Sequence, residues 1–290
     1  MNENKLDDFE IAPIEQADTI PADWYTSSQF ESHDRHIIRS GWQLVGHESQ
    51  LSEAGSFLTA SLSGEPIISV RQKDGKICSF YNVCRHRGGP LAMERCGHAN
   101  MLQCKYHGWT YKLDGSLRGV PKFDRTELFD KKDYGLTPVS TVVWQGLIFV
   151  CLSPQPPPLD KNLKGISEQI KPIEIGRMVH GRRAVYDIAC NWKVYVDNFL
   201  EGYHVPLVHP ELCDMIDMKG YVTETSSHYS VQYSPLKTAG YSDDPATGDE
   251  SVFYYFIFPN IMLNVLPGRV QTNVVEHISR DHCKVLFDYY

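Results

Sequence analysis

The sequence lacks any hydrophobic run of the length that a membrane-spanning helix requires. Its most apolar stretches, Val142–Leu152 and Val252–Leu266, fall short of the ~20 residues of such a helix, and Pro259 interrupts the second. The acidic N-terminus has neither the basic start and apolar core of a secretory signal nor the arginine-rich composition of a transit peptide. We therefore expect a cytoplasmic protein that does not enter a membrane.

Positive charge is also scarce. The 28 Lys and Arg residues are outnumbered by 36 Asp and Glu residues, and no block of basic residues occurs. Nucleic-acid binding is therefore not expected, because a phosphate backbone is held by clustered Lys and Arg. The sequence also has no Gly-x-Gly-x-x-Gly segment for a dinucleotide and no His-Glu-x-x-His segment for a zinc protease site.

A proline cluster, Ser153–Pro158, divides the sequence into two halves of different character. Proline cannot continue a helix or a central strand, so this segment is expected to be a stiff connector. Three hairpins with glycine at their turns are predicted in the first half, which favours a small β-sandwich or barrel. Their strands are Pro66–Arg71 with Lys76–Val83, Trp109–Leu113 with Ser116–Gly119, and Val142–Trp144 with Leu147–Leu152.

The second half combines helical and strand patterns, so an α+β fold is expected there. Asn191–Tyr203 places aromatic residues at helical spacing, and the sequence from Ser251 onward alternates β-branched and aromatic residues, as antiparallel strands do. The last stretch, Cys283–Tyr290, has the pattern of a strand. Because domains seldom end on such a strand, we expect the sequence to be truncated at its C-terminus.

Cys84 and His86, followed by Cys104 and His107, form the first group of residues that indicates chemistry. Each pair places one thiol and one imidazole in a short loop, and a [2Fe–2S] cluster with two Cys and two His ligands needs this set. A structural zinc ion is the alternative, but such sites normally pair Cys with Cys and His with His. The pattern therefore favours the cluster.

These residues resemble the signature of the Rieske family, in which Cys-x-His and a later Cys-x-x-His are followed by a Gly-Trp pair, here Gly108-Trp109. The resemblance implies that Cys84 and Cys104 bind the inner iron of the cluster. It implies likewise that His86 and His107 bind the outer iron, which lies nearer the solvent.

A second group, in Asp197–His209, combines Glu201 with His204 and His209. On a regular helix the two histidines would lie well apart, but Pro206 is expected to break or kink the helix between them. The kink could bring His209 beside His204, as a site with two His and one carboxylate around Fe(II) requires. A helix end with one capping His and solvated acids is the alternative.

Together the two groups resemble the catalytic α subunits of Rieske non-haem iron oxygenases, most of all the branch of choline and carnitine monooxygenases. The resemblance implies that His204 and His209 bind a mononuclear Fe(II) that activates O2. Glu201 would then be a catalytic bridge between subunits of a homotrimer, joining a cluster His of one to an iron-binding His of the next. Electrons would come from NAD(P)H through a separate flavin and ferredoxin-type reductase.

The expected fold class is α+β, with an N-terminal segment (1–40) packed on the catalytic domain and an all-β Rieske domain (41–153). A mononuclear-iron catalytic domain with an antiparallel sheet follows at 160–290 and is expected to be incomplete at its C-terminus. The third iron ligand of this family is a late Asp. Asp281 and Asp288 have the pattern of turn and strand-surface residues, so we expect the third carboxylate ligand beyond Tyr290.

The resemblance implies hydroxylation of a small substrate, a quaternary ammonium compound. Such a cation needs an aromatic cage, for which Phe199, Tyr203, Tyr241 and Phe253–Phe256 are candidates, although most are expected in the core. Three alternatives remain: an aromatic-ring hydroxylating dioxygenase, a Rieske electron-transfer protein, and a paralogue or inactive fragment that keeps the cluster but lacks the mononuclear iron. An oxygenase would contain about three irons per chain, whereas the electron-transfer protein and the inactive paralogue or fragment would each contain about two.

Overall fold

The computed structural model describes residues 13–171, 173–237 and 251–290 of the chain. Within these ranges the antiparallel strands form two sheets before the proline connector and one after it. None of the helices in these ranges combines the length and the apolar character that crossing a membrane demands. The first part of the predicted segment 1–40, up to residue 12, and Tyr241 of the predicted cage lie outside the described residues.

The first half is built from short strands, as predicted. They are β1 Gln43–His47, β2 Ser56–Leu62, β3 Glu65–Arg71, β4 Ile77–Tyr81, β5 Cys96–His98, β6 Leu102–Gln103, β7 Thr110–Tyr111, β8 Leu117–Gly119, β9 Pro138–Trp144 and β10 Leu147–Cys151. Within the described residues, seven of them form one sheet in the order β1-β10-β9-β4-β3-β2-β5, and β6-β7-β8 form a small second sheet.

All three predicted hairpins are present, as β3–β4, β7–β8 and β9–β10. Gly75, Gly115 and Gly146 at their turns have positive φ values, which glycine adopts without strain. The strands of the second hairpin are shorter than predicted, and β9 begins at Pro138 rather than at Val142. Local turn chemistry therefore predicted the pairings better than the strand ends.

The second half is organised around one long antiparallel sheet. Its strands are β11 Arg182–Ile188, β12 Val222–Thr225, β13 Tyr229–Pro235, β14 Ser251–Ile257, β15 Ile261–Leu266, β16 Arg269–Ser279 and β17 His282–Tyr289. Over the described ranges the spatial order is β11-β17-β16-β15-β14-β13-β12. The predicted C-terminal strand is β17, and it lies inside the sheet between β11 and β16.

Helices cover both faces of this sheet. The described α-helices are α1 Asp23–Thr26, α2 Glu31–Ser40, α3 Leu159–Asn162, α4 Lys164–Gln169, α5 Trp192–Phe199, α6 Val205–Val208 and α7 Pro210–Met215. One face packs against α3, α4 and the first half in a core that includes Trp42, Phe149 and Tyr255. The other face lies under α2 and α5, where Ile38 and Trp192 pack on the strands.

The N-terminal helices contact the second half at α5. Tyr25 in α1 donates a hydrogen bond from Oη to Oδ2 of Asp197 at 2.5 Å. Asp34 in α2 is buried and pairs with Lys193 Nζ at 2.5 Å. These polar contacts accompany the apolar packing of Ile38, so α1 and α2 are held against the helix that leads to the second group of candidate residues.

The segment predicted as one helix over Asn191–Tyr203 is shorter and is followed by two further helices. Asn191 caps the first turn of α5 by accepting the N–H of Lys193 at 3.0 Å, and α5 ends at Phe199. The prediction that Pro206 breaks a helix is wrong. Pro206 lies in the first turn of α6, where its missing N–H has no helical partner to lose, so it starts this helix.

Candidate metal sites

The two Cys/His pairs lie in loops that have the same backbone turn. The N–H of Gly88 donates to the carbonyl of Cys84 at 3.0 Å, and the N–H of Gly108 donates to the carbonyl of Cys104 at 2.9 Å. Both glycines have positive φ values, +73° and +75°, in the left-handed region that side chains rarely adopt. The repeated turn places the Cys of each loop at an equivalent position.

The side chains of these loops converge with the thiols inside and the imidazoles outside. Cys84 is 2% exposed and Cys104 is 3% exposed. The rings of His86 and His107 meet edge to face with their centroids 4.7 Å apart, and His107 is exposed. A group with two thiolate ligands on a buried iron and two imidazole ligands on an outer iron fits this arrangement.

Two aromatic residues to which the sequence analysis gave no role at the site support the loops. The Oη of Tyr111 lies 3.3 Å from the Sγ of Cys84 and accepts the N–H of Arg85 at 3.0 Å. Burial raises the pKa of Tyr111, so its hydroxyl stays protonated and can donate to the sulfur. Trp109 stacks on the ring of His86 at 4.9 Å. Trp109 and Tyr111 are two residues apart in a predicted strand, so the sequence could have indicated that both side chains lie on the same face.

Glu201, His204 and His209 lie together between α5 and α7. The ring centroids of His204 and His209 are 5.3 Å apart, so the two rings are neighbours as predicted. The Glu201 carboxylate contacts Nδ1 of His204 and accepts the backbone N–H of the same residue at 3.2 Å. Because Nδ1 is engaged, Nε2 of His204 is the ring nitrogen left for a metal ion.

The turn that holds these residues is fixed from behind by the sheet. A Cβ atom on Gly202 would lie 2.3 Å from the Oη of Tyr221, so only glycine fits. Tyr221 donates to Oε1 of Gln232 at 2.6 Å, and Nε2 of Gln232 donates to the carbonyl of Phe199 at 2.5 Å. The end of α5 and the start of α6 therefore both rest on β13.

No third metal ligand was found in the described parts of the chain, where no group of three His, Cys, Asp or Glu side chains could hold one metal ion. Asp281 is exposed and pairs with Arg280, as expected of a turn residue. The prediction that Asp288 lies on a strand surface is wrong, since it is 1% exposed. A carboxylate ligand beyond Tyr290 stays a prediction.

Asp288 is buried because β17 is an inner strand and its side chain points towards the first half. Its carboxylate accepts hydrogen bonds from Nε of Arg183 at 2.7 Å and from Nε2 of His180 at 2.8 Å. Burial alone would raise the pKa of Asp288, but the hydrogen bonds and positive charges of Arg183 and His180 lower it overall. This carboxylate is therefore committed to an ion pair and not to a metal.

A cavity of about 450 Å3 lies between α7, which follows His209 in the sequence, and the sheet, and neither His204 nor His209 lines it. Its wall includes Glu211 and Met215 of α7, and its floor includes Tyr254 and Asn264. The Oδ1 atom of Asn264 is buried and has no hydrogen-bond partner among the described residues. The cavity thus offers an apolar wall, the Glu211 carboxylate, an unpaired carbonyl oxygen and the Arg269 guanidinium.

Few of the residues predicted to form an aromatic cage line the cavity beside α7. Strand alternation turns Phe253 and Tyr255 to the opposite face of the sheet, so their assignment to a cage is wrong. Tyr203 is 85% exposed, and Phe199 packs with α5 residues in the core. Tyr254 is the predicted residue that lines the cavity.

Two family models match the chain. The Rieske [2Fe–2S] domain matches residues 41–133, and the catalytic domain of the ring hydroxylating alpha subunit matches residues 175–290. The first match contains both Cys/His pairs, and the second contains Glu201 and the two neighbouring histidines.

Curated relatives are similar over nearly the whole chain. A choline monooxygenase of Arabidopsis thaliana, described as chloroplastic, is 34% identical over 96% of this chain and 69% of its own length. The carnitine monooxygenase oxygenase subunit of Acinetobacter pittii is 33% identical over 91% of this chain and 72% of its own length.

Solved structures are similar as well. The quaternary ammonium Rieske monooxygenase CntA matches with a TM-score of 0.85 and 30% identity, over 94% of this chain and 75% of that one. Naphthalene 1,2-dioxygenase matches with a TM-score of 0.78 at 24% identity, a likeness of fold alone.

Proposed function

This chain belongs to the Rieske non-haem iron oxygenase α subunits, a family of oxidoreductases related to the quaternary ammonium monooxygenases, and we propose that its substrate is a quaternary ammonium compound. The juxtaposition of His204 and His209, with the Glu201 carboxylate on Nδ1 of His204, supports an iron site, and the relatives named for choline and carnitine support the substrate class. We also propose the division into residues 1–40, 41–153 and 160–290.

We assign the four side chains of the matched loops to the cluster. Cys84 and Cys104 would bind the inner iron because their thiols are buried, and His86 and His107 would bind the outer iron because their rings meet at the surface side. When bound, the cluster supplies single electrons at a potential raised by its two neutral imidazole ligands. Trp109 holds the His86 ring in place by stacking on it.

His204 and His209 would bind a mononuclear Fe(II), with a carboxylate beyond Tyr290 as the third ligand. When bound, this iron supplies open positions at which O2 and substrate meet. Glu201 keeps the proton of His204 on Nδ1 and so presents Nε2 to the metal. Its side chain is 38% exposed, which leaves one side of the carboxylate for a second imidazole from a neighbouring subunit.

A homotrimer would explain two apolar surfaces. Near the proposed iron site Tyr203 is 85%, Leu207 is 89% and Val208 is 61% exposed. Beside the cluster loops Met93 is 78% and Tyr106 is 64% exposed. We propose that the Rieske domain of one subunit covers the iron site of the next, with Glu201 as the bridge, because exposed apolar surface of this kind marks interfaces.

The cavity beside α7 is our candidate substrate site. The Tyr254 ring can contact a quaternary ammonium group, and Glu211 can balance its charge at the mouth. Burial raises the pKa of Tyr254 to about 12, so the phenol stays neutral near pH 7. The relatives named for choline and carnitine support this class. We propose that NAD(P)H-derived electrons arrive through a separate flavin and ferredoxin-type reductase.

The test is substrate-dependent O2 uptake by iron-loaded protein supplied with NADH and a reductase. We expect choline, a betaine or carnitine to stimulate uptake with formation of a hydroxylated product, and we expect the variant Tyr254→Leu to raise the KM for that compound. Stimulation by aromatic acids alone would refute the proposed substrate class while leaving the family assignment intact.

A further inference from the structure

Two cysteines outside the proposed metal sites lie side by side at the start of α5. The Sγ atoms of Cys190 and Cys283 are 3.8 Å apart. Cys283 is in β17, and Cys190 lies between the end of β11 and Asn191, the residue that caps α5. Ile188 of β11 pairs with Cys283, and the N–H of Cys190 donates to the carbonyl of Ile188 at 2.9 Å. The backbone itself therefore holds the two thiols together.

The two thiols have different surroundings. Cys283 is fully buried, whereas Cys190 is half-buried. Burial raises the pKa of Cys283 to about 12, so this thiol keeps its proton near neutral pH. A small oxidant from the solvent therefore meets Cys190 first. Cys283 can act as a nucleophile only when a base takes up its proton.

A buried histidine lies next to Cys283 and can be that base. His277 is opposite Cys283 in the register of β16 and β17, and directly opposed residues have Cβ atoms ~4.5–5.5 Å apart. His277 is 8% exposed, and neither of its ring nitrogens has a hydrogen-bond partner among the described residues. Burial lowers the pKa of His277, so the ring is neutral and can accept a proton. An unpartnered imidazole beside a buried thiol suits proton transfer between them.

We propose that hydrogen peroxide oxidises Cys190 and Cys283 to a reversible disulfide. The Cys190 thiolate first attacks one oxygen of the peroxide, the O–O bond breaks, and Cys190 becomes a sulfenic acid as one water molecule leaves. The Cys283 sulfur then attacks the sulfur of the sulfenic acid while its proton passes to His277 and from there to the departing hydroxide. The two thiols lose two electrons in total, and one peroxide is reduced to two water molecules.

The new bond would act on α5, the helix that leads to the turn with Glu201 and His204. The sulfur atoms must approach from 3.8 Å to ~2.05 Å, and the bond then joins the residue before the helix cap to an inner strand of the sheet. It also closes a loop of about 90 residues, which restricts the unfolded chain and so favours the folded one. The disulfide therefore secures the attachment of α5 to the sheet.

The experiment treats the holoprotein with one equivalent of hydrogen peroxide, quenches the excess with catalase, blocks free thiols with iodoacetamide during unfolding, and maps the peptides. We expect a disulfide between Cys190 and Cys283 that dithiothreitol reverses, and a thermal midpoint at least ~4 °C higher with the bond than without it. His277→Gln should form the same bond at least tenfold more slowly. Cys190→Ser should form no bond, whereas the control Cys213→Ser, which removes another half-buried thiol, should react as the wild type does.

The proposal is overturned if Cys190 is oxidised to a sulfinic acid without a bond to Cys283, if either thiol is found bonded to another cysteine, or if neither reacts. A wild-type rate in His277→Gln overturns the role of His277 as the base, and an unchanged thermal midpoint overturns the stabilisation of α5. If His277→Gln does not fold, the comparison of Cys190→Ser with Cys213→Ser decides. Damage to the cluster does not imitate the result, because it would release Cys84 and Cys104, which lie in other peptides.

Discussion

The carboxylate of Glu201 is hydrogen-bonded to Nδ1 of His204 within a single turn, and it accepts the backbone N–H of the same histidine at 3.2 Å. Both contacts are local, so they form without any metal. They fix the tautomer and the orientation of the ring in advance, which is what a metal-binding histidine needs from its neighbours.

Two replacements of Glu201 should therefore distinguish its role in orienting the His204 ring from the role of its negative charge. In Glu201→Gln an amide oxygen can still accept the hydrogen bond from Nδ1–H but cannot take up a proton, so we expect normal iron content but electron transfer slowed at least ~10-fold. In Glu201→Ala the ring loses its partner, and we expect iron affinity to fall by ~10–100-fold. Metal analysis and rapid-mixing spectroscopy of cluster reoxidation measure the two effects. A wild-type rate in Glu201→Gln would leave this residue a purely local support, and exposed Glu127→Gln is the control.

His204→Ala should remove the mononuclear iron and leave the cluster. The cluster ligands lie in the first half, whereas His204 contacts Glu201 and His209, so the two metals should be lost independently. We expect the iron content to fall from about three to about two per chain, with the visible absorption unchanged. His36→Ala, an exposed histidine on α2, should retain all the iron. Retained turnover in His204→Ala would remove this residue from the iron site.

The ion pair of Asp288 with Arg183 should be a major source of stability. The Asp288 side chain is 2% exposed and that of Arg183 is 13% exposed, so Asp288→Asn leaves a buried guanidinium without its counter-charge. Breaking a buried pair in this way costs ~3–5 kcal/mol of unfolding free energy, which denaturant titration measures. Asp281→Asn is the matched control, because Asp281 forms its pair with Arg280 in solvent and should show no measurable change.

The same pair predicts a pH dependence. The pKa of Asp288 is lower in the folded chain than in the unfolded chain, so its stabilisation is complete above the ordinary Asp value of about 3.9 and is lost as the pH falls below that value. The wild type should lose stability on acidification in this range, and Asp288→Asn should lose less. Parallel pH profiles for the two proteins would contradict the assignment.

Sequence reasoning succeeded where the information is local. The hairpin turns at Gly75 and Gly115 and the paired Cys/His loops each depend on a few adjacent residues, and the structure has them in place. The neighbouring positions of His204 and His209 were predicted correctly but for the wrong reason, because Pro206 starts α6 instead of breaking a longer helix.

It failed where a residue's role depends on contacts distant in sequence. The pattern around Asp288 is that of a strand with this side chain on its surface, and only the pairing of β17 with both β11 and β16 buries the carboxylate beside Arg183. Likewise, strand alternation decides which of Phe253 and Tyr254 can reach the candidate substrate cavity, and the sequence did not show which face would be covered by α7. Strand register and the order of the layers depend on tertiary contacts, so short sequence motifs do not predict them.

Tyr111 offers a test of the proposed cluster that does not remove a ligand. Its hydroxyl lies 3.3 Å from the Sγ of Cys84, and a hydrogen bond to a cluster sulfur stabilises the reduced, more negative state. In Tyr111→Phe we therefore expect an intact visible spectrum, a lower midpoint potential, and a loss of ~1 kcal/mol in unfolding free energy. Redox titration followed by EPR measures the potential.

Tyr134→Phe is the matched control, because its ring packs against Trp109 in the same core while its hydroxyl has no hydrogen-bond partner among the described residues. It should leave the potential unchanged. If both variants shift the potential equally, the effect of Tyr111 is one of packing and not of its hydrogen bond to sulfur. If neither variant shifts the potential, the Sγ of Cys84 is not a cluster ligand within reach of the Tyr111 hydroxyl. The ligand assignment would then have to be revised.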